Sequence, residues 1–409
     1  IDFFKFYSLV MVAIFGHILL RLYKVKKKNF DLLCNKIFSQ LEIDRYTNLV
    51  KNFESSCLLG NFASEKKIKN EFYFKFNKFL IGNSSIPLSK KFYLLILGSK
   101  IFYKSITSKT NLFPIFINLI YDVLKSNYIF THINAKYYLN NRFYDTSPIF
   151  NYYFKNNGGL VTSCTQKNIC AIPLSCFVFS DVMFTLGKDQ GEICNKLGGE
   201  IKILKPVGSL FMEDQWFRKE HDLNKVPNSD ILIIGINTFF NNRHHVNYVF
   251  EKNYYDIFLN WLLKLSNDYP DKKIILKHHV DYAKDPKEFA ILNKISNIKV
   301  VVDHDSENGT YAYAFKSKII LSFASTMIVE MLGHERKAYF LDPNLEGDQW
   351  FRDVKYLDFF RIKNYKDLKS KIEEKHNEIS IDKKDYYCLE SSESSKKISD
   401  FLKKYEQVI

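Results

Sequence analysis

Short apolar runs alternate with amphipathic stretches through the second half of the chain. A short apolar run bounded by polar turns is typical of a buried parallel strand. The segment 254–265 carries its apolar residues on one helical face, which predicts an amphipathic helix. Repeated strand–helix units of this kind form a parallel sheet with helices on both faces. The predicted strands cover 231–236, 273–276, 298–302, 318–323 and 338–341.

The first half of the chain shows the same alternation less clearly. Residues 29–130 are mostly helical in pattern, with weaker strand signals at 92–97 and 128–131. Ser147-Pro148 predicts the start of a helix, and Gly158-Gly159 predicts its end. The remaining elements expected are strands at 160–163, 184–187 and 201–207, a charged linker at 211–229 and an amphipathic helix at 394–409.

The beginning of the chain predicts membrane association. The run 6–20 is apolar, and Arg21, Lys24 and 26–28 add a basic flank directly after it. Three interpretations fit this pattern: an interfacial anchor helix, a short transmembrane segment, or a buried helix of the first domain. A cleaved signal peptide is disfavoured, because its charges precede the apolar run. We therefore expect a membrane-associating helix over 1–28.

Composition and charge argue against some classes of function. The chain has 409 residues and a net charge of +14, but its lysines and arginines are scattered along the sequence. No helix-turn-helix, zinc-finger or RNA-recognition signature occurs, so a nucleic-acid partner is not expected. A basic surface suits anionic lipid or nucleotide phosphates as well. The seven cysteines form no CxxC pair, which favours reduced thiols in a cytoplasmic compartment.

The segment 316–343 contains the clearest candidate for a ligand site. It predicts a strand, a polar turn, a helix that ends at Gly333, and a second strand. Ser322, Ser325 and Thr326 place hydroxyls and free backbone N–H groups at the predicted helix start, where a phosphate can bind. Glu330 lies one turn further along the same face and could accept hydrogen bonds from a ribose.

Polar residues also follow the other predicted strands of this half. Asn237-Thr238 follows the first strand, Lys277-His278-His279 the second, and the acidic stretch 303–309 the third. Because parallel strands end at one edge of a sheet, these loops should converge. Lys277 with either histidine would suit a diphosphate or a phosphodiester. Acidic turns are common, so no metal site is assigned to 303–309.

The order of these motifs resembles the nucleotide-sugar domain of GT-B glycosyltransferases. It is closest to the bacterial group that builds capsule and lipopolysaccharide, and similar patterns occur in CDP-glycerol glycerophosphotransferases and in capsule sialyl- and Kdo-transferases. The resemblance covers about residues 125–345. The usual Lys-x-His-Pro reads Lys277-His278-His279-Val280, so either histidine could correspond. Gln166 is followed by Lys167-Asn168 where the group carries His-Gly.

The resemblance implies an α/β fold in which two Rossmann-like domains face a cleft, with a helical, partly apolar N-terminal extension. It implies a metal-independent glycosyltransferase that needs no cofactor. The implied divisions are the membrane-associating helix 1–28, an acceptor-side domain 29–215, a donor-binding domain 216–393 and a C-terminal helix 394–409.

The resemblance also implies roles for individual residues. A nucleotide sugar, CMP- or UDP-linked, would be the donor, and a polysaccharide or a lipid-linked sugar the acceptor. The catalytic base would be His132, Asp145 or Asp181, and Gln166 would lie on the acceptor side. Such an enzyme would work at the cytoplasmic face of the bacterial inner membrane. The donor would contact Asn237, Thr238, Lys277, His278, His279, Ser322, Ser325, Thr326 and Glu330.

Two other functions fit the same fold. A glycerophosphotransferase of the CDP-glycerol type would use the same strand-end loops with a different donor. A non-catalytic protein that binds nucleotides or carbohydrates would keep the fold without turnover.

Overall fold

The computed structural model describes most of the chain. The described residues are 4–5, 7–11, 14, 27–37, 40–60, 71–75, 87–143, 146–165, 178–188, 190, 192–217, 226–235, 248–278, 290–302, 309–322, 325–343, 355–374 and 384–406.

The first sheet has seven parallel strands in the order β3-β2-β1-β4-β5-β6-β7. Its first six strands follow the order 3-2-1-4-5-6 of a doubly wound fold. The strands are β1 Lys28–Ile37, β2 Ser56–Gly60, β3 Glu71–Lys75, β4 Ile133–Asn140, β5 Val161–Thr165, β6 Phe179–Thr185 and β7 Glu200–Pro206. The helices of this half are α1 Gln40–Val50, α2 Leu88–Thr107, α3 Phe113–His132, α4 Pro148–Asn156 and α5 Glu192–Lys196.

The second sheet repeats this topology with six parallel strands, in the order β10-β9-β8-β11-β12-β13. Its strands are β8 Ser229–Gly235, β9 Ile274–His278, β10 Ile298–Val302, β11 Ser317–Ser322, β12 Lys337–Leu341 and β13 Arg361–Ile362. Between the sheets come α6 Leu210–Met212 and a π-helical turn Glu213–Phe217. The later helices are α7 Tyr248–Asp268, α8 Thr310–Phe315, α9 Thr326–Gly333, a 3-10 helix Lys355–Phe360, α10 Tyr365–Glu373, α11 Lys384–Tyr387 and α12 Ser394–Glu406.

The sequence-based elements of the second half are confirmed within a few residues, but two strands predicted in the first half are wrong. The runs 92–97 and 128–131 lie inside α2 and α3, and the mostly helical pattern of 29–130 hid three strands, β1 to β3. The first error has a physical cause, because α2 is apolar on its exposed face as well as on its packed face. The apolar side chains among its exposed lysines obscured the helical period.

The C-terminal helix packs against the first domain. Ile398 and Leu402 of α12 are fully buried in the same core as Leu32 and Leu139 of the first sheet. The chain therefore crosses between the domains twice, outward after β7 and back before α12. Val207 and Leu210 belong to the core of the first domain, whereas Met212 belongs to the core of the second.

The two crossings are held against each other by serine hydroxyls. The backbone N–H of Ser209 donates to Ser391 Oγ at 3.0 Å, and Ser394 Oγ donates to the Val207 carbonyl at 3.0 Å. The buried Glu213 accepts from both the backbone N–H (2.8 Å) and the hydroxyl of Ser395. Each of these buried polar groups is paired, as stability requires. We call residues 207–213 and 388–395 the double crossing.

No helix in the described part of the chain is long and apolar enough to cross a membrane.

Two glycines with the same backbone conformation allow a matched test of the double crossing. Gly158 and Gly208 both have φ +88°, but a Cβ at Gly158 would meet no atom within 4 Å. A Cβ at Gly208 would lie 2.9 Å from the Leu389 carbonyl oxygen and from the hydroxyls of Ser391 and Ser394. We expect Gly158→Ala to lower the free energy of unfolding by about 1 kcal/mol, from the positive φ alone. Gly208→Ala should cost about 3 kcal/mol or more, because the return crossing must also move.

Urea unfolding of both variants measures this difference. Equal losses for Gly158→Ala and Gly208→Ala would show that the second crossing does not constrain the first.

Candidate functional site

Three adjacent strands of the second sheet end at the same level. Gly235 of β8 is in register with His278 of β9, and Ile234 is in register with Ser322 of β11. The Ser322 hydroxyl donates to the Ile234 carbonyl at 3.1 Å, which ties the ends of β8 and β11 together. β8 and β11 flank the switch point of the doubly wound sheet, the usual location of a ligand. The structure thus brings Lys277, His278 and Ser322 to one edge.

The helix that follows β11 begins at the same edge. Ser325 caps α9, and its hydroxyl accepts from the Met327 N–H at 3.3 Å. Thr326 is the first residue of the helix. The helix dipole favours an anion at this helix start. Ser325 and Thr326 are therefore placed where a phosphate would bind.

Lys277 and His278 differ in their surroundings. Both are buried, and as neighbours in a strand they point to opposite faces of the sheet. The Lys277 ammonium lies 5.0 Å from the ring centroid of Tyr313 in α8. Burial lowers the pKa of His278 to about 4. The His278 imidazole is therefore neutral at physiological pH and can donate a hydrogen bond, but Lys277 supplies the positive charge.

Glu330 lies deeper than the sequence suggested. Its carboxylate is buried and accepts hydrogen bonds from the Ser209 hydroxyl and from Tyr311 OH, at 3.1 Å and 2.9 Å to its two oxygens. Burial raises the pKa of Glu330, while the bonds from Ser209 and Tyr311 and the charge of Arg45 act in the opposite direction. Glu330 thus joins the donor-side helix α9 to the double crossing.

No pattern in the sequence predicts a role for Ser209, Tyr311 or Arg45. Arg45 comes from α1 of the first domain, and its guanidinium lies 3.7 Å from the ring centroid of Phe211 in the crossing segment. These three residues are 164, 102 or 266 positions apart from one another, and no local motif contains them.

Two of the candidate bases lie away from this edge. His132 ends α3 directly before the first residue of β4, and its Nδ1 lies 2.8 Å from the Tyr128 carbonyl oxygen. Asp181 lies near the start of β6 and accepts from the N–H and hydroxyl of Thr162, each at 2.9 Å. Both are therefore at the amino edge of the first sheet, opposite the carboxyl ends of its strands.

Asp181 has the contacts of a structural ion pair. Lys155 and Lys202 contact its two carboxylate oxygens at 2.7 Å and 3.0 Å. Burial alone would raise the pKa of Asp181, but the hydrogen bonds from Lys155, Thr162 and Lys202 outweigh it and lower the pKa. A carboxylate stabilised in this way is a weak proton acceptor.

The remaining candidates, Asp145, Gln166, Asn237, Thr238 and His279, lie outside the described residues. Within the described ranges, no group of three or more His, Cys, Asp or Glu side chains is placed to hold a metal ion.

The arrangement suits a ligand with a phosphate and a polar sugar. A helix start and a lysine can stabilise negative charge, and neutral histidine can donate a hydrogen bond to an oxygen. The carboxylate of Glu330 lies one helical turn away, buried and bonded to Ser209 and Tyr311.

Solved structures of nucleotide-dependent proteins share this fold. S. aureus MnaA with UDP is 13% identical, with a TM-score of 0.51 over 93% of this chain and 98% of its own. The wall teichoic acid polymerase TagF is 12% identical, with a TM-score of 0.52 over 100% and 97%. The Neisseria meningitidis UDP-GlcNAc 2-epimerase bound to UDP-GlcNAc is 11% identical, with a TM-score of 0.50 over 92% and 100%.

These likenesses confirm the predicted architecture, two Rossmann-like domains as in GT-B structures. At this level of identity they establish the fold and leave the activity to be argued from the site. No family model matches the sequence, and no curated protein matches it significantly.

The hydrogen bonds of Glu330 predict that the effect of a substitution on the unfolding free energy depends on pH. Because burial raises the folded-state pKa of Glu330, the energetic cost of its charge is absent at low pH and grows as the pH rises through that pKa. Tyr311→Phe removes a donor to the carboxylate and should raise this pKa further. We expect the variant to lose about 1–3 kcal/mol of unfolding free energy at neutral pH. The loss should be smaller near about pH 4, where the carboxyl group is protonated.

Urea unfolding at several pH values measures this effect, and Glu330→Gln provides the control. In the Glu330→Gln background, Tyr311→Phe should have the same effect at every pH. If the pH dependence persists in that background, Tyr311 does not act through Glu330.

Proposed function

We propose that this protein transfers a sugar from a nucleotide-sugar donor to a surface-polysaccharide or lipid-linked acceptor, in the biosynthesis of cell-envelope carbohydrate. The observation that supports this most directly is the convergence of Lys277, His278, Ser322 and the start of α9 at the switch point of the second sheet. A ligand at such a point lies outside the carboxyl ends of the strands.

In the proposed donor site, three groups of residues have different roles. The N–H groups at the start of α9 and the ammonium of Lys277 would stabilise the charge that develops on the leaving nucleotide. Neutral His278 would donate one hydrogen bond to a phosphate or sugar oxygen. Glu330, held by Tyr311 and Ser209, would orient the ribose through one of its carboxylate oxygens. No step requires a metal ion in this scheme.

The acceptor would bind at the carboxyl edge of the first sheet. In the sequence, Asp145 comes five positions after the last residue of β4, and Gln166 directly follows the last residue of β5. We propose Asp145 as the general base that deprotonates the acceptor hydroxyl. His132 and Asp181, at the amino edge, are less suitable. A lipid-linked acceptor would place the protein at the cytoplasmic face of the bacterial inner membrane, in contact with its surface.

Two other reactions have support from the shared fold. The wall teichoic acid polymerase TagF was solved with CDPG, which favours a glycerophosphotransferase reaction as one alternative. The structures with UDP and UDP-GlcNAc belong to MnaA and an epimerase, which favours epimerisation of a nucleotide sugar as another. A binding protein without turnover is the non-catalytic alternative.

A donor panel distinguishes these functions. The protein is incubated with CMP-, UDP- and GDP-sugars and with CDP-glycerol, with and without a bacterial lipid extract, and products are identified by mass spectrometry. We expect release of free nucleotide from one donor only when the extract is present. Lys277→Ala should lower this rate about 100-fold to 1,000-fold, because a charge on the leaving group is lost. Lys318→Ala is the matched control, since Lys318 is exposed at the start of β11.

Each alternative has its own outcome. Transfer from CDP-glycerol would replace the glycosyltransferase proposal by the glycerophosphotransferase. An epimeric sugar formed without acceptor would indicate an epimerase. Binding without any product from the panel would indicate the non-catalytic alternative.

A further inference from the structure

A small helical unit stands beside the first sheet with a core of its own. Residues 7–11, the helix α2 and the first half of α3 pack around this core. The hydroxyl of Tyr7 lies 2.7 Å from Ser99 Oγ, which joins the N-terminal segment to α2. The second half of α3 packs on the first sheet instead, through Tyr128, Ile129 and Phe130. The fully buried members of the small core are Val10, Ile14, Phe113, Phe116, Ile120 and Leu124.

The outer face of this unit is unusually apolar. Nine of the fifteen large hydrophobic side chains that are exposed in the described residues belong to it. Tyr103 is 70% exposed and Ile115 is 72% exposed. Clustered exposure on this scale marks an interaction surface rather than ordinary surface variation. We call this surface the hairpin face and define it by Phe92, Ile96, Tyr103, Ile106, Ile115 and Leu119.

The charged residues of α2 and of the turn after it are all positive. Lys90, Lys100 and Lys104 of α2 are exposed, as is Lys109 in the turn after it. No aspartate or glutamate occurs anywhere in residues 72–121. Lysine side chains can lay their apolar stems along the face and hold their ammonium groups at its rim.

We propose that the hairpin face docks on the surface of an anionic lipid bilayer. Its aliphatic side chains would enter the boundary between headgroups and acyl chains, its tyrosines would lie at headgroup level, and its lysines would contact anionic headgroups. The protein would lie on the membrane at this face, since no described helix is suited to span it. This inference names the face through which the membrane contact of the proposed function would be made, and it does not depend on which reaction is catalysed.

The lysines of the hairpin face favour an anionic bilayer over a second copy of the chain or a nucleic acid. In a two-fold dimer through this face, the same patch would contact itself. Lys100 and Lys104 would then approach lysines of the second copy, and neither α2 nor the turn after it contains an acidic residue to pair them. A nucleic acid would satisfy the lysines but would leave Ile96, Ile106 and Ile115 in contact with water and phosphate. An anionic bilayer satisfies both the charge and the apolar surface.

Vesicle sedimentation of the full chain tests the proposal. The probes are vesicles of phosphatidylcholine alone and of an equal mixture of phosphatidylcholine and phosphatidylglycerol. We expect binding to the mixed vesicles, and a loss of about tenfold or more for Lys100→Glu combined with Lys104→Glu, because two attractive contacts become repulsive. Ile96→Asn combined with Tyr103→Ser should weaken binding to a similar extent.

Matched substitutions on the rest of the surface serve as controls. Tyr152→Ser removes an exposed apolar side chain outside the hairpin face, and Lys363→Glu combined with Lys366→Glu reverses exposed charges on the second domain. These controls should bind as the unaltered chain does. Binding that no hairpin-face variant weakens, or equal losses in the controls, would overturn the proposal. So would a stable dimer that the Ile96→Asn, Tyr103→Ser variant dissociates.

A second measurement does not require any disruption of the face. Tryptophan replaces Tyr103 in one variant and Tyr152 in another, and vesicles containing brominated acyl chains quench fluorescence at the depth of the headgroup boundary. We expect additional quenching for Tyr103→Trp relative to the unaltered chain, and none for Tyr152→Trp. Quenching of neither variant, or of Tyr152→Trp alone, would contradict the proposed orientation on the membrane.

Discussion

The double crossing at residues 207–213 and 388–395 is the constraint on which the rest of the structure depends. At this point two segments of the chain connect the two domains, and buried serine side chains form hydrogen bonds between these segments. The return crossing also packs against the donor-side helix, since a Cβ at Gly333 would lie 2.3 Å from the Cys388 carbonyl oxygen. Because Ser209 of the outward crossing bonds to Glu330, the domain junction and the candidate donor site share one network.

This shared network has a consequence for how the two domains could work together. Tyr311 and Glu330 belong to the second domain, Arg45 to the first, and Ser209 to the crossing between them. A change in the relative placement of the domains would alter the environment of the Glu330 carboxylate, because its hydrogen-bond donors and its nearby positive charge come from different parts of the chain. The same carboxylate is the proposed ribose contact, so domain placement and donor binding would be thermodynamically linked.

The sequence predicted the strands and helices of the second domain well and those of the first domain poorly. The difference lies in which side chains of each element are buried. Strands such as 338–341 are continuous apolar runs between polar residues, so the pattern predicts them directly. In the first domain, α2 has apolar side chains on its exposed face as well as in its own core, and these obscure the helical period. At the site, Lys277, His278 and Ser322 were found because each follows or ends a strand. Contacts made only by folding, such as Tyr311 with Glu330, leave no local signal.

The most direct measurement of the central claim is a crystal structure of the full chain with UDP, CDP or CMP at saturating concentration. The account predicts phosphate oxygens within hydrogen-bond distance of the Thr326 backbone N–H or the Lys277 ammonium, with the ribose beside Glu330. A nucleotide bound only at the carboxyl edge of the first sheet, with the edge between β8 and β11 empty, would contradict the account.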